Sequence, residues 1–291
     1  MVVSGISNVV AEGTQLELVK DGFAFTEGPV GTPDGGLYFV ELRSPSTRIY
    51  HLEPGGELKV FRENTHSVNG LAFDLNGDLV GAEMDNRRII RMDKKGNVTA
   101  VTTTTQAGEP FLRTNDLIVD RRGGIYFTDP GPRPVIQGRK VFVYYLPPGA
   151  EHPLLIDDGI IRPNGLTVTT DGKTLIVLDT IGEIVFAFDI QSDGMAANKR
   201  PFARLRNIPK EKGESGADGA AIDRDDRLYV ATHAGVQVFD KTGEYLGTIQ
   251  FPCRPINLAF SGPGKRTLYI TAMQNLFRIQ MLSQGPDRLG K

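Results

Sequence analysis

The sequence predicts an all-β protein, a six-bladed β-propeller with four antiparallel strands in each blade. Six segments share one pattern: an oxygen-bearing side chain, a short apolar run, a turn of Gly, Asp or Asn, and a second apolar run. Their starts lie 39 to 54 residues apart, a period typical of solenoids and propellers. Helical periodicity is nearly absent. The six starting residues are Glu27, Asn69, Asn115, Asn164, Asp218 and Asn257.

Within each repeat, short apolar runs alternate with turn sequences such as Pro33-Asp34-Gly35-Gly36, which is the pattern of strands joined by hairpins. The predicted strands of the first two repeats are 28–32, 37–41, 48–52 and 58–62, then 71–74, 79–83, 88–92 and 98–102. Those of the next three are 117–119, 125–128, 141–146 and 153–156, then 166–169, 174–178, 184–189 and 202–205, then 220–222, 227–231, 236–239 and 245–249.

The sixth repeat offers only three strands, at 258–260, 267–271 and 276–280. Residues 15–20 alternate polar and apolar side chains as a half-buried strand does, and they precede the first repeat. We expect this N-terminal strand to complete the sixth blade, because closure of the ring leaves no unpaired sheet edge between the two ends of the chain. The prediction is therefore a single domain over residues 1–291.

Two stretches are predicted to be irregular loops. Residues 129–134 contain three prolines between the second and third strands of the third repeat, too many for a paired strand. Residues 209–216, rich in Lys, Glu and Gly, lead into Asp218.

Composition excludes several classes of protein. The chain has 33 basic and 35 acidic residues, and it lacks the basic block typical of a nucleic-acid-binding surface. One cysteine, Cys253, excludes an internal disulfide framework. Neither a signal peptide nor an apolar run of about 18 residues is visible. We expect a cytoplasmic protein, a monomer or homodimer, with a small-molecule substrate and with neither nucleic acid nor membrane as a partner.

The six starting residues point to one site, because the innermost strands of a propeller line its central channel. For a single Asn-Gly or Asp-Gly pair the ordinary alternative is a plain turn, since these residues tolerate a positive φ. An oxygen-bearing residue at the same position of all six repeats favours a shared function instead. Two carboxylates among four amides suit a hard cation: calcium accepts such oxygens readily, whereas structural zinc sites favour nitrogen and sulfur.

At these residues the sequence resembles the gluconolactonase/senescence-marker-protein-30/luciferin-regenerating family of six-bladed propellers. The resemblance spans about residues 16–279. Its most specific motifs are Glu27-Gly28-Pro29, Arg113-Thr114-Asn115-Asp116, Arg162-Pro163-Asn164-Gly165 and Asp218-Gly219.

The resemblance implies one catalytic divalent cation at the mouth of the channel, with Glu27, Asn115, Asn164 and Asp218 as its protein ligands. We expect Ca²⁺, with Zn²⁺, Mg²⁺ or Mn²⁺ as alternatives. It also implies a hydrolase that opens sugar lactones or related cyclic esters, and some relatives hydrolyse organophosphates.

Roles for individual residues follow from the same resemblance and from general chemistry. Asp218 is the expected catalytic residue, both a ligand and the group that directs or deprotonates the attacking water. Arg113 and Asn115 are expected to contact substrate, although an ordinary surface arginine is the alternative for Arg113. We expect Asn69 and Asn257 to line the channel.

Two departures from the family pattern leave the pocket shape open. Val30-Gly31 stands where an aromatic residue commonly follows Glu-Gly-Pro, and Asn257 precedes Leu258 rather than glycine. Two other functions remain as alternatives to a metal-dependent lactonase. One is a phosphotriester hydrolase on the same metal site, and the other is a non-catalytic binding propeller, since fold alone does not determine function.

Overall fold

Antiparallel sheets make up almost the whole fold. The computed structural model describes residues 1–43 and 45–288, and these residues form six four-stranded antiparallel sheets. Ser44 and residues 289–291, which the predicted domain includes, lie outside the described residues. The helices of the described part are two short 3₁₀ turns, Lys210–Lys212 and Pro263–Lys265, and neither has the length or apolar character needed to cross a bilayer.

Each sheet is one blade, with its strands ordered from the channel outward. The outermost strand of the sixth blade is β1 (Leu16–Lys20), and the remaining strands follow in chain order. Blades one to three contain β2 (Thr26–Gly31), β3 (Leu37–Glu41), β4 (Arg48–Leu52), β5 (Leu58–Glu63), β6 (Val68–Phe73), β7 (Leu79–Glu83), β8 (Arg88–Met92), β9 (Val98–Thr102), β10 (Leu117–Val119), β11 (Ile125–Asp129), β12 (Phe142–Leu146) and β13 (Leu154–Asp157). Blades four to six contain β14 (Pro163–Val168), β15 (Thr174–Asp179), β16 (Ile184–Ile190), β17 (Ala196–Arg204), β18 (Ala220–Ile222), β19 (Leu228–Thr232), β20 (Gly235–Phe239), β21 (Tyr245–Ile249), β22 (Asn257–Ser261), β23 (Thr267–Ala272) and β24 (Asn275–Gln280).

The six blades form a closed ring. Each innermost strand contacts the next, from β2 through β6, β10, β14 and β18 to β22, and β22 contacts β2. The ends of the chain meet in the sixth blade, where β1 pairs antiparallel with β24 and Leu16 lies opposite Ile279. The predicted all-β propeller and its closure by the N-terminal strand are confirmed.

The outer strand of the fourth blade differs most from its prediction. The sequence predicts a strand at 202–205, whereas β17 runs from Ala196 to Arg204. Residues 197–201 are exposed and mostly polar, so they lack the alternation that identifies a half-buried strand. Pro201 lies beside a register shift in the pairing with β16, a position that an edge strand tolerates.

The core of the protein lies between the blades. The described residues contain six buried apolar clusters, and each joins one blade to the next around the ring. Inner strands therefore bury both faces, and their residues do not alternate between buried and exposed. The cluster between blades five and six also takes in four N-terminal side chains that precede β1, Val3, Ile6, Val9 and Val10.

Aspartates at strand ends shape many of the hairpins. Asp74 Oδ1 accepts the backbone N–H groups of Asn76 at 2.9 Å and Asp78 at 3.0 Å, and Gly77 between them takes a positive φ of 81°. Such Asx turns supply local partners for the backbone and explain the recurring Asp-x-x-Gly or Asp-x-x-Asp sequences. Equivalent pairs of bonds form at Asp93, Asp120, Asp223 and Asp240.

Candidate functional site

The repeat-starting residues come together at one end of the ring, where the innermost strands begin. A cavity of about 570 Å³ opens there, and five of the six residues line it. These are Glu27, Asn69, Asn115, Asn164 and Asp218. The cavity therefore gathers two carboxylates and three amides from five different blades.

Glu27 lies in β2 and is 4 % exposed. Its Oε2 accepts the N–H of Gly28 at 2.9 Å and an N–H of the Asn257 side chain at 3.0 Å. Burial, together with the nearby charge of Asp218, raises the pKa of Glu27 to about 8. Two buried carboxylates thus repel each other across the cavity, an arrangement that a bound cation relieves.

Asp218 precedes β18, and both of its carboxylate oxygens accept hydrogen bonds. The Asn164 side chain donates to Oδ1 at 2.9 Å, and Arg254 Nη2 donates to Oδ2 at 3.0 Å. Burial raises the pKa of Asp218 above its ordinary value, although Arg254 and Asn164 favour the ionised form. The carboxylate is therefore held in one orientation.

The two amides of the predicted ligand set both line the cavity. The amide nitrogen of Asn164 donates to Thr180 Oγ1 at 3.0 Å as well as to Asp218, which leaves its Oδ1 as the free acceptor. Asn115 lines the same space. The donor set of two carboxylates and two amides consists of hard oxygens and fits calcium. A cluster of three or more His, Cys, Asp or Glu side chains suited to a metal is absent from the described residues.

Asn69 and Asn257, the other two repeat-starting residues, differ in their contacts. Asn69 lines the cavity, and its amide lies 3.7 Å from the sulfur of Met84. Asn257 is 3 % exposed, and its side chain is used twice, donating to Glu27 and accepting the N–H of Leu258 at 2.9 Å. Asn257 thus orients Glu27 through this hydrogen bond, and its place along the channel stays a prediction.

Several of the repeat-starting residues are followed by glycine, and the structure gives a reason that the sequence does not reveal. Among these glycines only Gly28 has a positive φ, of 48°, so the plain-turn interpretation of the pairs does not hold for the others. A Cβ atom on Gly165 would overlap the carbonyl oxygen of Asp218 in the next blade. The inner strands approach each other too closely for a side chain: a Cβ atom on Gly28 would overlap the carbonyl oxygen of Asn69, and one on Gly70 or Gly219 would overlap Oδ1 and Cα of Asp116 or Asn257.

We therefore expect Gly165→Ala to displace Asp218 and to destabilise the protein by about 1–3 kcal/mol, the usual cost of overpacking a well-packed region. Gly55→Ala is the matched control, because a Cβ atom there meets nothing within 4 Å. Urea unfolding of both variants measures the difference. Equal unfolding midpoints would contradict the close approach of the strands.

Acidic residues that end the second strand of a blade hold the segment leading into its innermost strand. Asp129 accepts the N–H groups of Leu112 at 2.7 Å and Arg113 at 2.6 Å, and Asp179 accepts that of Arg162 at 3.1 Å. Burial raises the pKa of Asp129 to about 6. The predicted substrate residue Arg113 is therefore fixed at its backbone, and its side chain reaches the cavity.

Five further charged residues line the cavity that the sequence did not indicate: Arg43, Arg133, Arg162, Glu214 and Arg254. Arg133 and Glu214 come from the two predicted surface loops, and Arg133 binds Glu214 through two hydrogen bonds of 3.2 Å across 81 residues of sequence. No local pattern could have found that pair. Arg162 precedes Asn164 by two residues as Arg113 precedes Asn115, a repeat that could have identified it.

Comparison with known proteins supports the fold and the phase of the repeats. Residues 25–274 match the family model described as the SMP-30/Gluconolactonase/LRE-like region. A gluconolactonase of Zymomonas mobilis is 26% identical, over 94% of this chain and 83% of its own. The lactonase drp35 of Staphylococcus saprophyticus is 29% identical, over 82% of this chain and 73% of its own.

A solved structure agrees with these sequence relatives. The gluconolactonase XC5397 of Xanthomonas campestris superposes with a TM-score of 0.81 at 29% identity, covering 92% of this chain and 90% of the other. The family model spans all six repeat-starting residues, from Glu27 to Asn257. The chain belongs to the SMP-30/gluconolactonase/LRE-like family.

Proposed function

We propose that this protein is a divalent-metal-dependent lactonase that opens a cyclic ester in the cavity at the channel mouth. The observation that carries the proposal is the meeting of Glu27, Asn115, Asn164 and Asp218 in one cavity. Relatives named gluconolactonase and lactonase in the same family support the substrate class.

Glu27, Asn115, Asn164 and Asp218 are the proposed ligands, and Ca²⁺ is the proposed ion. When bound, such a cation polarises an ester carbonyl and lowers the pKa of water. The hydrogen bond from Asn257 fixes the Glu27 carboxylate, and the bonds from Asn164 and Arg254 fix that of Asp218. Ligands restrained in this way lose little conformational entropy on binding.

Asp218 is the proposed general base. As water adds to the lactone carbonyl carbon, the Asp218 carboxylate takes one of its protons. The bond between that carbon and the ring oxygen then breaks, and the ring oxygen leaves as a hydroxyl after receiving the proton. Burial raises the pKa of the Asp218 carboxyl above its ordinary value, which favours its acting as a proton acceptor.

Arg113 and Asn115 are the proposed substrate contacts. The Nε of Arg113 is buried without a hydrogen-bond partner among the described residues, and its Nη2 lies 3.7 Å from Asp85, too far for a strong pair. Its donors are therefore available to hydroxyl or acidic groups of a substrate. Asn115 has the same access from the adjoining edge of the cavity.

Metal analysis of the purified protein, followed by hydrolysis assays with and without a chelator, tests the proposal. A panel of lactones and one phosphotriester separates the possible activities. Lactone hydrolysis that chelation abolishes and calcium restores is the expected result. Hydrolysis of the phosphotriester alone would replace the substrate class, and a metal-free protein inactive on every compound would indicate a binding propeller.

Glu27→Gln tests the ligand set directly. It removes one of two anionic ligands while preserving shape, so we expect calcium affinity to fall by on the order of 10–100-fold or more. The control is Glu57→Gln, because the Glu57 side chain is 65 % exposed and pairs only with Lys59 on the surface of the described structure. Isothermal titration calorimetry measures both. An unchanged affinity in Glu27→Gln would remove Glu27 from the site.

A further inference from the structure

Positive charge predominates in the lining of the cavity. Among the described residues, five arginines and three carboxylates line it. Four of the arginines form what we call the basic rim, Arg113, Arg133, Arg162 and Arg254. A cation held by Glu27 and Asp218 would make the cavity more positive still. A neutral sugar lactone offers this rim nothing of opposite charge.

Arg162 is the most informative member of the rim. It is 7 % exposed, and its Nη atoms donate only to the carbonyl oxygens of Pro130 at 3.3 Å and Gly131 at 3.4 Å. Its Nε is buried with no hydrogen-bond partner, and no carboxylate of the described chain forms an ion pair with it. Asp218 and Glu214 act on this guanidinium electrostatically but form no ion pair with it in the described structure, so an anion that binds directly beside it would stabilise the buried charge.

The other members of the rim differ in how far they are neutralised. Arg133 is paired with Glu214, and Arg254 with Asp218. In the described part of the chain, Arg113 has only the 3.7 Å approach to Asp85, and its Nε is buried without a hydrogen-bond partner. Arg113 and Arg162 therefore hold the donors that a ligand can use. They stand at the same position in neighbouring blades, each two residues before an amide of the proposed ligand set.

We propose that the basic rim binds an acidic group of the substrate, so that the lactone opened here carries a carboxylate or a phosphate ester. This inference rests on the proposed lactonase function. The guanidinium groups of Arg113 and Arg162 hold the acidic group, since planar guanidinium forks match carboxylate and phosphate oxygens. The lactone carbonyl then lies toward Glu27 and Asp218. A substrate bound at both ends presents one carbonyl in one orientation to the attacking water.

The test compares three lactones with the same ring: a neutral aldonolactone, one with a terminal carboxylate and one with a terminal phosphate ester. Each is assayed with calcium-loaded wild type, Arg113→Gln, Arg162→Gln and the control Arg204→Gln. Arg204 is a surface residue, 60 % exposed at its side chain and paired with Glu183 at 2.8 Å. The carboxylate and phosphate arms separate the two sources of charge. Circular dichroism and thermal melting establish that each variant is folded.

We expect wild type to favour at least one acidic lactone over the neutral one by about tenfold or more in kcat/KM. Arg113→Gln and Arg162→Gln should each lower kcat/KM for that acidic lactone by about 30-fold. The loss on the neutral lactone should be several-fold smaller than on the acidic one in both variants, because it lacks the acidic group, whereas all three lactones should change within about threefold with Arg204→Gln. Added salt should weaken only the acidic reaction, because exposed parts of the rim are screened.

Two results would overturn the inference while leaving the lactonase intact. One is equal use of the neutral and acidic lactones, and the other is an equal loss on all three in Arg113→Gln. If Arg162→Gln does not fold, Arg113→Gln decides alone, because its side chain is 41 % exposed and makes no strong ion pair within the described residues. If no lactone is hydrolysed, the proposed function fails. Calorimetric titration with the same lactones then tests whether the basic rim binds an acidic group. Tighter binding of an acidic lactone would support this, and equal binding of all three would contradict it.

Discussion

Asp218→Asn should lower lactone turnover by on the order of 10²–10⁴-fold at saturating calcium, the usual cost of losing a positioned base. The variant keeps the shape of the side chain and one ligand oxygen. It cannot satisfy both present partners, because an amide offers one acceptor where Asn164 and Arg254 now donate to two. We therefore expect calcium to bind more weakly, and we expect turnover to stay low after saturation.

The measurement is single-substrate turnover across a calcium titration, with metal content determined on the same samples. Asp225→Asn is the control, because Asp225 lies in the same blade with its side chain 58 % exposed and contacts Arg227 rather than the cavity. Near-normal turnover of the metal-saturated Asp218→Asn would show that the ion alone activates water. Asp218 would then be a ligand without a role in proton transfer.

Removal of residues 1–20 should abolish or severely weaken the folded state. The deletion takes β1 from the sixth blade and removes five buried apolar side chains, each worth about 1.5–3 kcal/mol, from the cluster between blades five and six. Their sum is comparable with the whole stability of a typical protein, about 5–15 kcal/mol. The five side chains are Val3, Ile6, Val9, Val10 and Leu16.

A milder pair of substitutions isolates the strand itself. Leu16 is 5 % exposed and Leu18 is 53 % exposed, although both lie in β1. We expect Leu16→Ala to cost about 2–5 kcal/mol and Leu18→Ala about 0.5 kcal/mol or less. Urea unfolding of the two variants and of the truncated chain measures these differences. A truncated protein that unfolds like the intact one would refute the stabilising role of the closure.

Most of the fold can be predicted from the sequence because each blade repeats the same local pattern. The Gly/Asp/Asn turns mark hairpins, and the shortage of one strand after Gln280 implies a partner from the N-terminus. The paired ends, Leu16 opposite Ile279, follow from that count. The start of the strand at 196–204 is not predictable from its sequence. Its exposed polar residues pair as an edge strand but show no apolar periodicity.

The site can be predicted only in part from the sequence. The phase of the repeats brings Glu27 and Asp218 together across 191 positions of chain. The reason for Gly165, by contrast, is the carbonyl of Asp218 in another blade, and backbone proximity leaves no local pattern. The bond between Arg254 and Asp218 likewise depends on where a loop passes in three dimensions.

The pairing of β1 with β24 also determines how long β1 stays unpaired while the chain is synthesised. Glu17 bonds to Arg278, 261 residues further along the chain, so β1 leaves the ribosome long before its partner exists. At ordinary rates of translation this delay is on the order of tens of seconds. During it, the nascent strand is an unpaired edge open to other chains, and its exposed Glu17 and Lys20 are the charges that discourage such pairing. Soluble yield in a cell should therefore depend on those two surface charges, even though neither contributes to the finished core.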